Sequence, residues 1–259
     1  MEMPGLLDIF PLWTILPLAV GVALLSIEFG YRLERYQRKH LGEEKEAPAP
    51  VTGMVGAMLA LLALIQAFTF SYAASRFEDR RQVMLSEATA VGTTYLRTSM
   101  LPEPMRTESR NLLREYVDVR LEAVQPGKLS QAMSKSEELH NRLWAQAVAA
   151  AEKERTPMTS LYITSLNEVI VLHARRVTAS VRSRVPAAMW IVLFLLAFIC
   201  MAMMGYQLGL NNSRRSLAAV ALVIGFSSVL FLIADLDRPG QGTLEVSQQA
   251  MIDLRKSMN

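Results

Sequence analysis

Residues 52–100 read TGMVGAMLALLALIQAFTFSYAASRFEDRRQVMLSEATAVGTTYLRTSM, and this stretch decides the architecture of the chain. It contains no proline, and the only residues in it that strongly weaken a helix are Gly53, Gly56 and Gly92. An uninterrupted helix of this length would extend about 70 Å, more than twice the ~30 Å hydrocarbon core of a bilayer. Its first half is apolar and its second half is charged. The stretch therefore predicts a helix that crosses a membrane, continues well beyond it and ends before Pro102.

Three other apolar stretches are also long enough to cross a membrane. A span takes about 20 helical residues, and the four candidates are residues 9–30, 51–73, 186–210 and 217–234. Aromatic side chains lie near the ends of these segments, as the membrane interface favours: Trp13, Tyr31, Tyr72, Trp190 and Tyr206. The sequence predicts an all-α membrane protein with four transmembrane helices and a helical-bundle domain between the second and the third.

The region between the second and third spans has the pattern of a helical bundle. Apolar residues recur every three or four positions over about 105–124, 129–153 and 159–184, and prolines separate these segments. With the extension of the second span they predict a bundle of about four short-looped helices. The predicted division is 1–75 for the first two transmembrane helices with a short basic loop, 76–185 for the extramembrane domain, 186–236 for the last two spans, and 237–259 for a C-terminal turn and short helix.

Basic residues in the loops bear on the orientation in the membrane. The two short loops carry seven Lys and Arg residues, against three in the terminal tails, which favours cytoplasmic short loops and an outer domain. Seven arginines that flank the domain favour the opposite orientation, so both stay open. In either orientation we expect an integral, multi-pass protein of the plasma (inner) membrane.

Small residues form one face of the second span. They recur at intervals of three and four residues: Gly53, Gly56, Ala60, Ala63 and Ala67. In lipid, small side chains allow two helix backbones to approach closely, which favours helix association. The pattern indicates a helix-packing face, and the partner is either another helix of the same subunit or a second subunit.

Polar residues follow an apolar stretch on roughly the opposite face of the same span. At 100° per residue this face carries Gln66, Thr69, Ala73, Arg76 and Arg80. Such a face could line a pore, with an apolar neck, a polar step and arginines that attract anions. The alternative is an ordinary helix that leaves the bilayer and extends its arginines to the headgroups.

Charged residues follow both the second and the fourth span. Arg81 and Glu87 lie beyond the second span, and Asp235, Asp237 and Arg238 follow the fourth. In either orientation both groups lie on the same side of the membrane. We therefore predict a salt-bridged domain junction, in which Arg81 or a neighbouring arginine pairs with Asp237.

Signals for catalysis or metal binding are poor. His40, His140 and His173 lack the spacing of metal ligands and are expected at helix surfaces or at the edge of the core. The chain has no glycine-rich phosphate loop, nucleophile elbow or HExxH motif. Its net charge of +3 comes from basic residues that flank spans or alternate with acids. We expect no enzymatic activity, cofactor, metal ion or nucleic-acid partner.

From about Leu64 to the C-terminus, an ordered series of motifs resembles the uncharacterised bestrophin-like membrane family, a domain-of-unknown-function group. The series is Phe68-Thr-Phe-Ser71, Arg81, Glu87-Ala-Thr-Ala-Val-Gly-Thr-Thr-Tyr95-Leu-Arg97, Leu101-Pro102, Arg114-Glu-Tyr-Val117, Asp237-Arg-Pro239, Gly242 and Val246-Ser247. The family is named for a distant likeness to bestrophins, which are pentameric anion channels with four spans per subunit and a cytosolic helical domain between the second and third. The resemblance therefore implies a channel-like oligomer.

Two features depart from the bestrophin pattern. Bestrophins hold calcium with a dense acidic run after the fourth span, and here only Asp235 and Asp237 stand there. The resemblance therefore does not imply calcium gating. Bestrophins also keep the domain in the cytosol, whereas the loop charges of this chain favour the outside.

Two functions fit this pattern. The first is an oligomeric, bestrophin-like channel or pore, which would be a homo-oligomer in the lipid bilayer and would conduct small ions, with a preference for anions. The alternative is a non-conducting membrane sensor or scaffold whose helical domain binds a partner. An intramembrane enzyme would need clustered acids or histidines, which the sequence does not indicate.

Overall fold

The computed structural model describes residues 10–40, 48–125, 127–179, 184–211, 217–238 and 242–258. Within these ranges the chain forms eight α-helices and no β-strand: α1 (Leu12–His40), α2 (Pro48–Arg97), α3 (Met105–Glu122), α4 (Leu129–Lys153), α5 (Pro157–Val177), α6 (Ala187–Leu210), α7 (Leu217–Asp237) and α8 (Gln249–Ser257). Arginines 214 and 215 of the second short loop, the end of the short basic loop between the first two spans, and the end of the third predicted domain helix lie outside the described residues.

Four helices, α1, α2, α6 and α7, are long and apolar enough to cross a membrane. The predicted fold class of four transmembrane helices with a helical bundle between the second and third is confirmed. The predicted long helix is α2, whose 50 residues correspond to about 75 Å at 1.5 Å per residue. It begins at Pro48, before the predicted start of the span at residue 51, since proline is tolerated in a first helical turn.

The chain divides into two compact units. The membrane unit comprises residues 1–76 and 184–244, and the helical unit comprises residues 77–183 and 245–259. The helix α2 contributes to both. The C-terminal helix α8 belongs to the helical unit.

Within the membrane unit, α1 packs along α6 at very short distance. A Cβ atom added at Gly30 would overlap the carbonyl oxygen of Ala202, and one added at Gly205 would overlap that of Ile27. One turn further, Arg38 of α1 pairs with Glu34 and donates from Nη2 to the Gly209 carbonyl oxygen at 3.1 Å. Glycine is required at this crossing because the obstructing atoms belong to the backbone.

The helical unit is built around one apolar core. Its largest fully buried side chains come from α3, α4, α5 and the turn before α3: Leu101, Leu112, Leu113, Tyr116, Leu139, Leu143, Tyr162 and Leu166. Thr156 caps α5 by accepting a hydrogen bond from the Thr159 amide at 3.3 Å, and α8 is held to α3 by Arg255, whose Nε lies 2.7 Å from Asp118 Oδ1. Short connections make the consecutive helices antiparallel neighbours.

Candidate functional site

The predicted pore face of α2 is turned toward its own subunit. Gln66, Thr69 and Ala73 are at most 2% exposed. Gln66 Nε2 donates to the carbonyl oxygen of Phe226 in α7 at 3.2 Å, which satisfies the amide inside the subunit as lipid requires. Association with further subunits can bury these side chains more but cannot expose them. The prediction that these three residues line a pore is therefore wrong for this structure.

The two arginines of that face differ in their surroundings. Arg80 is buried, with 5% of its surface exposed, so it does not line a pore either. Arg76 is half-buried, and its guanidinium lies 4.8 Å from the centroid of the Tyr72 ring while Nη2 donates to the Tyr72 hydroxyl at 2.8 Å. A place for Arg76 at the mouth of a pore stays a prediction.

Two rows of α2 point away from the membrane unit. The apolar row consists of Met54, Leu61, Leu64 and Phe68, whose exposed fractions are 61%, 47%, 51% and 62%. The small-residue row is the predicted packing face, Gly53, Gly56, Ala60, Ala63 and Ala67. A Cβ added at Gly53 or Gly56 would meet no described atom within 4 Å. Packing of these two glycines inside one subunit is therefore not observed, and packing between subunits stays a prediction.

The helical unit contains a cluster of ionisable and polar side chains at its centre. We call it the buried polar cluster, and its members are Glu87 of α2, Tyr116 and Arg120 of α3, His140 of α4, and His173 and Arg176 of α5. All six are less than 9% exposed. Glu87 therefore belongs to the core of the bundle, and its prediction as a domain-junction residue is wrong.

Both oxygens of the Glu87 carboxylate are engaged. Oε1 accepts the Tyr116 hydroxyl at 2.5 Å, and Oε2 lies 2.6 Å from Arg176 Nη1. Because the single Tyr116 proton goes to the carboxylate, His173 Nδ1, at 3.2 Å, must be the donor to the phenol oxygen. The His173 ring packs edge-on to His140 at 4.8 Å between centroids. If His173 is neutral, its one ring proton is therefore on Nδ1.

Burial and neighbouring charges set the pKa values in the cluster. Burial, together with the charge of the Arg120 guanidinium, lowers the pKa of both His140 and His173 to about 4. Burial raises the pKa of Glu87, but the Arg120 and Arg176 guanidiniums outweigh it and hold that pKa below its usual value. At neutral pH the cluster therefore holds one carboxylate, two guanidiniums and two uncharged imidazoles.

Acidification from pH 7.5 to 5.5 is expected to destabilise the helical unit. Between the unfolded pKa of 6.5 and the folded pKa of about 4, the unfolded histidines bind protons that the folded ones do not, so stability falls as pH falls. At about 1.4 kcal/mol per pKa unit, the two histidines together should cost about 2–3 kcal/mol by pH 5.5. Hydrogen-exchange protection of α4 and α5 peptides, corrected for intrinsic rates, measures this loss.

The matched control for this pH effect is the His140→Phe, His173→Gln double variant. It should keep its protection constant over the same pH interval, because no group in the cluster then titrates there. An equal loss of protection in this variant would assign the effect to other groups.

Sequence reasoning missed the cluster as a unit. His140 and His173 are buried and in contact, so their predicted position at helix surfaces or the core edge is wrong. The helical phase was a usable signal: His140 shares a face with Leu143 and Ala147, and His173 with Leu166. That phase places each ring in the core, but it does not show that the rings meet.

A family model for the Bestrophin-like domain matches residues 18–251 of the chain. The chain belongs to the Bestrophin-like domain family. The match includes all four candidate spans, with the first part of α1 excepted, and the whole helical unit as far as α8. It confirms the resemblance that the sequence motifs indicate. No curated protein matches the chain.

Solved structures show the fold of this Bestrophin-like chain. A crystal structure of a membrane protein variant matches with a TM-score of 0.69 at 14% identity, over 95% of this chain and 97% of that one. A variant of the bacterial Bestrophin homolog from Klebsiella pneumoniae matches with a TM-score of 0.67 at 15% identity, over 95% and 97%. A further structure of that homolog has a TM-score of 0.65 at 15% identity, over 95% and 96%.

The end of the last span in this Bestrophin-like chain is occupied by internal contacts. Asp235 Oδ1 accepts the Thr243 amide at 2.7 Å, and Asp237 Oδ1 accepts the Val185 amide at 2.7 Å. A Cβ added at Gly242 would collide with the Asp235 carboxylate. Glycine is therefore needed where the chain passes close to Asp235 after the last span. No group of three or more metal-ligating side chains occurs in the described part of the chain.

The remaining junction residues keep their status as predictions. Arg81 is exposed and its Nη1 lies 3.4 Å from Glu78 Oε2 on the same helix. Asp237 and Arg238 are buried in the membrane unit, with 6% and 5% of their surface exposed. A salt bridge from Arg81 to Asp237 remains to be tested by reversing both charges together.

Proposed function

We propose that this protein is the subunit of a homo-oligomeric channel in the plasma (inner) membrane, which conducts small ions with a preference for anions. The pore is lined by the apolar row of α2, and neighbouring α2 helices pack through the small-residue row. The observation that carries this proposal is the outward direction of both rows on one Bestrophin-like span. In this proposal the apolar row, and not the polar face with Gln66 and Thr69, lines the pore.

The small-residue row supports assembly. Glycine and alanine on a membrane helix permit close backbone approach, and no described atom of the subunit lies within 4 Å of a Cβ added at Gly53 or Gly56. Beside this row lies an open apolar groove of about 770 Å³, bordered by Ala63 and Phe70 of α2 and by Ala221 and Gly225 of α7. A helix of a second subunit can enter such a groove without losing polar contacts.

The apolar row supports a narrow pore with a hydrophobic constriction. Leu61, Leu64 and Phe68 lie at helical spacing on one side of α2. Rings of such side chains around an axis exclude water and limit conduction. Arg76 is half-buried and follows the row by about two turns. It is the first charged residue beyond the row on α2, and its positive charge favours the passage of anions.

Truncation of Phe68 to alanine is expected to raise the single-channel current several-fold, because a wider and more easily wetted constriction lowers the barrier to ions. Purified protein reconstituted in planar bilayers under a chloride gradient gives both the current and its selectivity. The oligomeric mass comes from native mass spectrometry of the same preparation.

Two variants serve as controls for this experiment. Leu195→Ala removes an apolar side chain of α6 with 58% exposure and should leave the current unchanged. Gln66→Leu should also leave it unchanged, because Gln66 contacts Phe226 in its own subunit. A current that responds to Gln66→Leu and not to Phe68→Ala would restore the polar face as the lining. A monomeric, non-conducting protein would favour the sensor or scaffold.

A further inference from the structure

The buried polar cluster carries more positive than negative charge. Glu87 supplies one carboxylate, and Arg120 and Arg176 supply two guanidiniums, all at the centre of the helical unit. An arginine side chain cannot lose its charge by deprotonation in a protein. A buried charge without a counter-charge costs several kcal/mol in general, so an excess of one positive charge at this depth requires compensation.

Arg120 shares the Glu87 carboxylate with Arg176 but forms no hydrogen bond through its Nε or Nη1. Its surface is 3% exposed, and neither Nε nor Nη1 forms a hydrogen bond with any described residue. Nε lies 3.4 Å from Glu87 Oε1, but its geometry is not that of a hydrogen bond. That oxygen already accepts the Tyr116 hydroxyl, and the other accepts Arg176. The guanidinium therefore presents unused donors inside the bundle.

A second unused polar atom belongs to the same cluster. His140 Nε2 is buried and has no hydrogen-bond partner among the described residues. The His140 ring packs against Tyr116, with 5.0 Å between centroids, and against His173. The two orphaned groups thus come from α3 and α4, and both can donate an N–H.

In the described part of the chain, Glu87 is the carboxylate that pairs with Arg120 and acts on its pKa. The residues of this unit outside the described ranges, namely Pro126, 180–183 and Asn259, have no acidic side chain. Ordered water could accept the N–H groups, but it would leave the charge uncompensated.

We propose that the buried polar cluster binds one small monovalent inorganic anion, of the halide or nitrate class, at the Arg120 guanidinium with His140 as a second donor. The deficit of a single charge selects a monovalent ion, and the surrounding helices select a compact one. The site lies inside the helical unit of one subunit, so it is separate from the proposed pore and does not depend on conduction.

The test is thermal unfolding of the full-length protein in detergent, with bromide replacing gluconate at constant ionic strength. Gluconate is too large to enter a packed bundle. Binding to the folded state alone should raise the Tm by about 3–5 °C when the anion exceeds its Kd about tenfold, and the Tm should continue to rise with the logarithm of the bromide concentration. Arg120→Met should abolish this anion dependence, since the remaining Glu87 and Arg176 form a neutral pair.

Arg142→Met is the matched control, because Arg142 is an arginine of the same unit whose side chain is 45% exposed on α4. It should retain the full bromide response. A wild-type Tm that is equal in bromide and gluconate would overturn the proposal, and so would a response that persists in Arg120→Met. If Arg120→Met does not fold, bromide-soaked crystals of the wild type decide: an anomalous peak within hydrogen-bonding distance of Arg120 supports the site, and its absence there overturns it.

Discussion

Replacement of Gly205 by alanine is expected to prevent α1 from packing on α6 and to destabilise the membrane unit by at least about 3 kcal/mol. The new Cβ would occupy the position of the Ile27 carbonyl oxygen, and Ile27 Cα also lies within contact distance. A backbone group cannot rotate away as a side chain can, so the two helices must separate. Loss of this close contact also removes the packing on which helix association in lipid depends.

Size-exclusion profiles and thermal unfolding of detergent-purified variants measure this effect. Gly30→Ala should behave in the same way, since its Cβ would overlap the Ala202 carbonyl oxygen. The double variant should lose little more than either single one, because both open the same interface. Gly21→Ala and Gly225→Ala are the matched controls, with no described atom within 4 Å of the added carbon. A Gly205→Ala protein as stable as these controls would show that α1 and α6 are not this close.

The second large effect is expected at Glu87. Glu87→Gln keeps the shape of the side chain but leaves Arg120 and Arg176 buried together without a carboxylate, which should cost about 3–5 kcal/mol of stability in the helical unit. Glu138→Gln, at a residue whose side chain is 55% exposed in its ion pair with Lys135, should change stability by less than about 0.5 kcal/mol. Hydrogen exchange of α3 and α5 peptides gives the comparison.

An apolar replacement of the ionic groups tests the cause of this loss. The Glu87→Leu, Arg120→Met, Arg176→Met triple variant should recover most of the stability, because it removes the unpaired charges together with the carboxylate. A triple variant as unstable as Glu87→Gln would mean that the shape of the site, and not its charge, is what holds the bundle.

The helical pattern of α2 could be analysed from the sequence, but the direction of its faces could not. Spacing separates Gln66 and Thr69 from the small residues at Gly53 and Gly56 on opposite sides of one helix. Both sides had a plausible partner, since polar side chains suit a pore and small ones suit helix packing. The Gln66 amide donates a hydrogen bond to the carbonyl oxygen of Phe226, which lies 160 residues away in α7. This contact shows that the polar side of α2 faces its own subunit.

Long-range contacts also explain the two features that sequence reasoning did not find. Gly30 and Gly205 lie in separate spans, and the four-residue spacings Ser26–Gly30 and Gly205–Gly209 that favour close helix packing do not show that these two spans pack on each other. The predicted packing face on α2 has a longer repeat of small residues, yet no described atom lies within 4 Å of a Cβ added at Gly53 or Gly56. The buried polar cluster combines six residues from four helices, and none of them indicates such a cluster within its own segment.

The amino-acid sequence alone determined the class of the protein, the four spans and the extent of α2, because hydropathy over 20 residues and the absence of proline act locally. The family motifs could be identified for the same reason, because each is a short run of neighbouring residues. The tertiary structure was needed to show which face of α2 meets its own subunit, which glycines bring helices together and that Arg120 and Arg176 share one carboxylate. Those properties depend on atoms contributed by other helices, and local periodicity carries no information about which helices become neighbours.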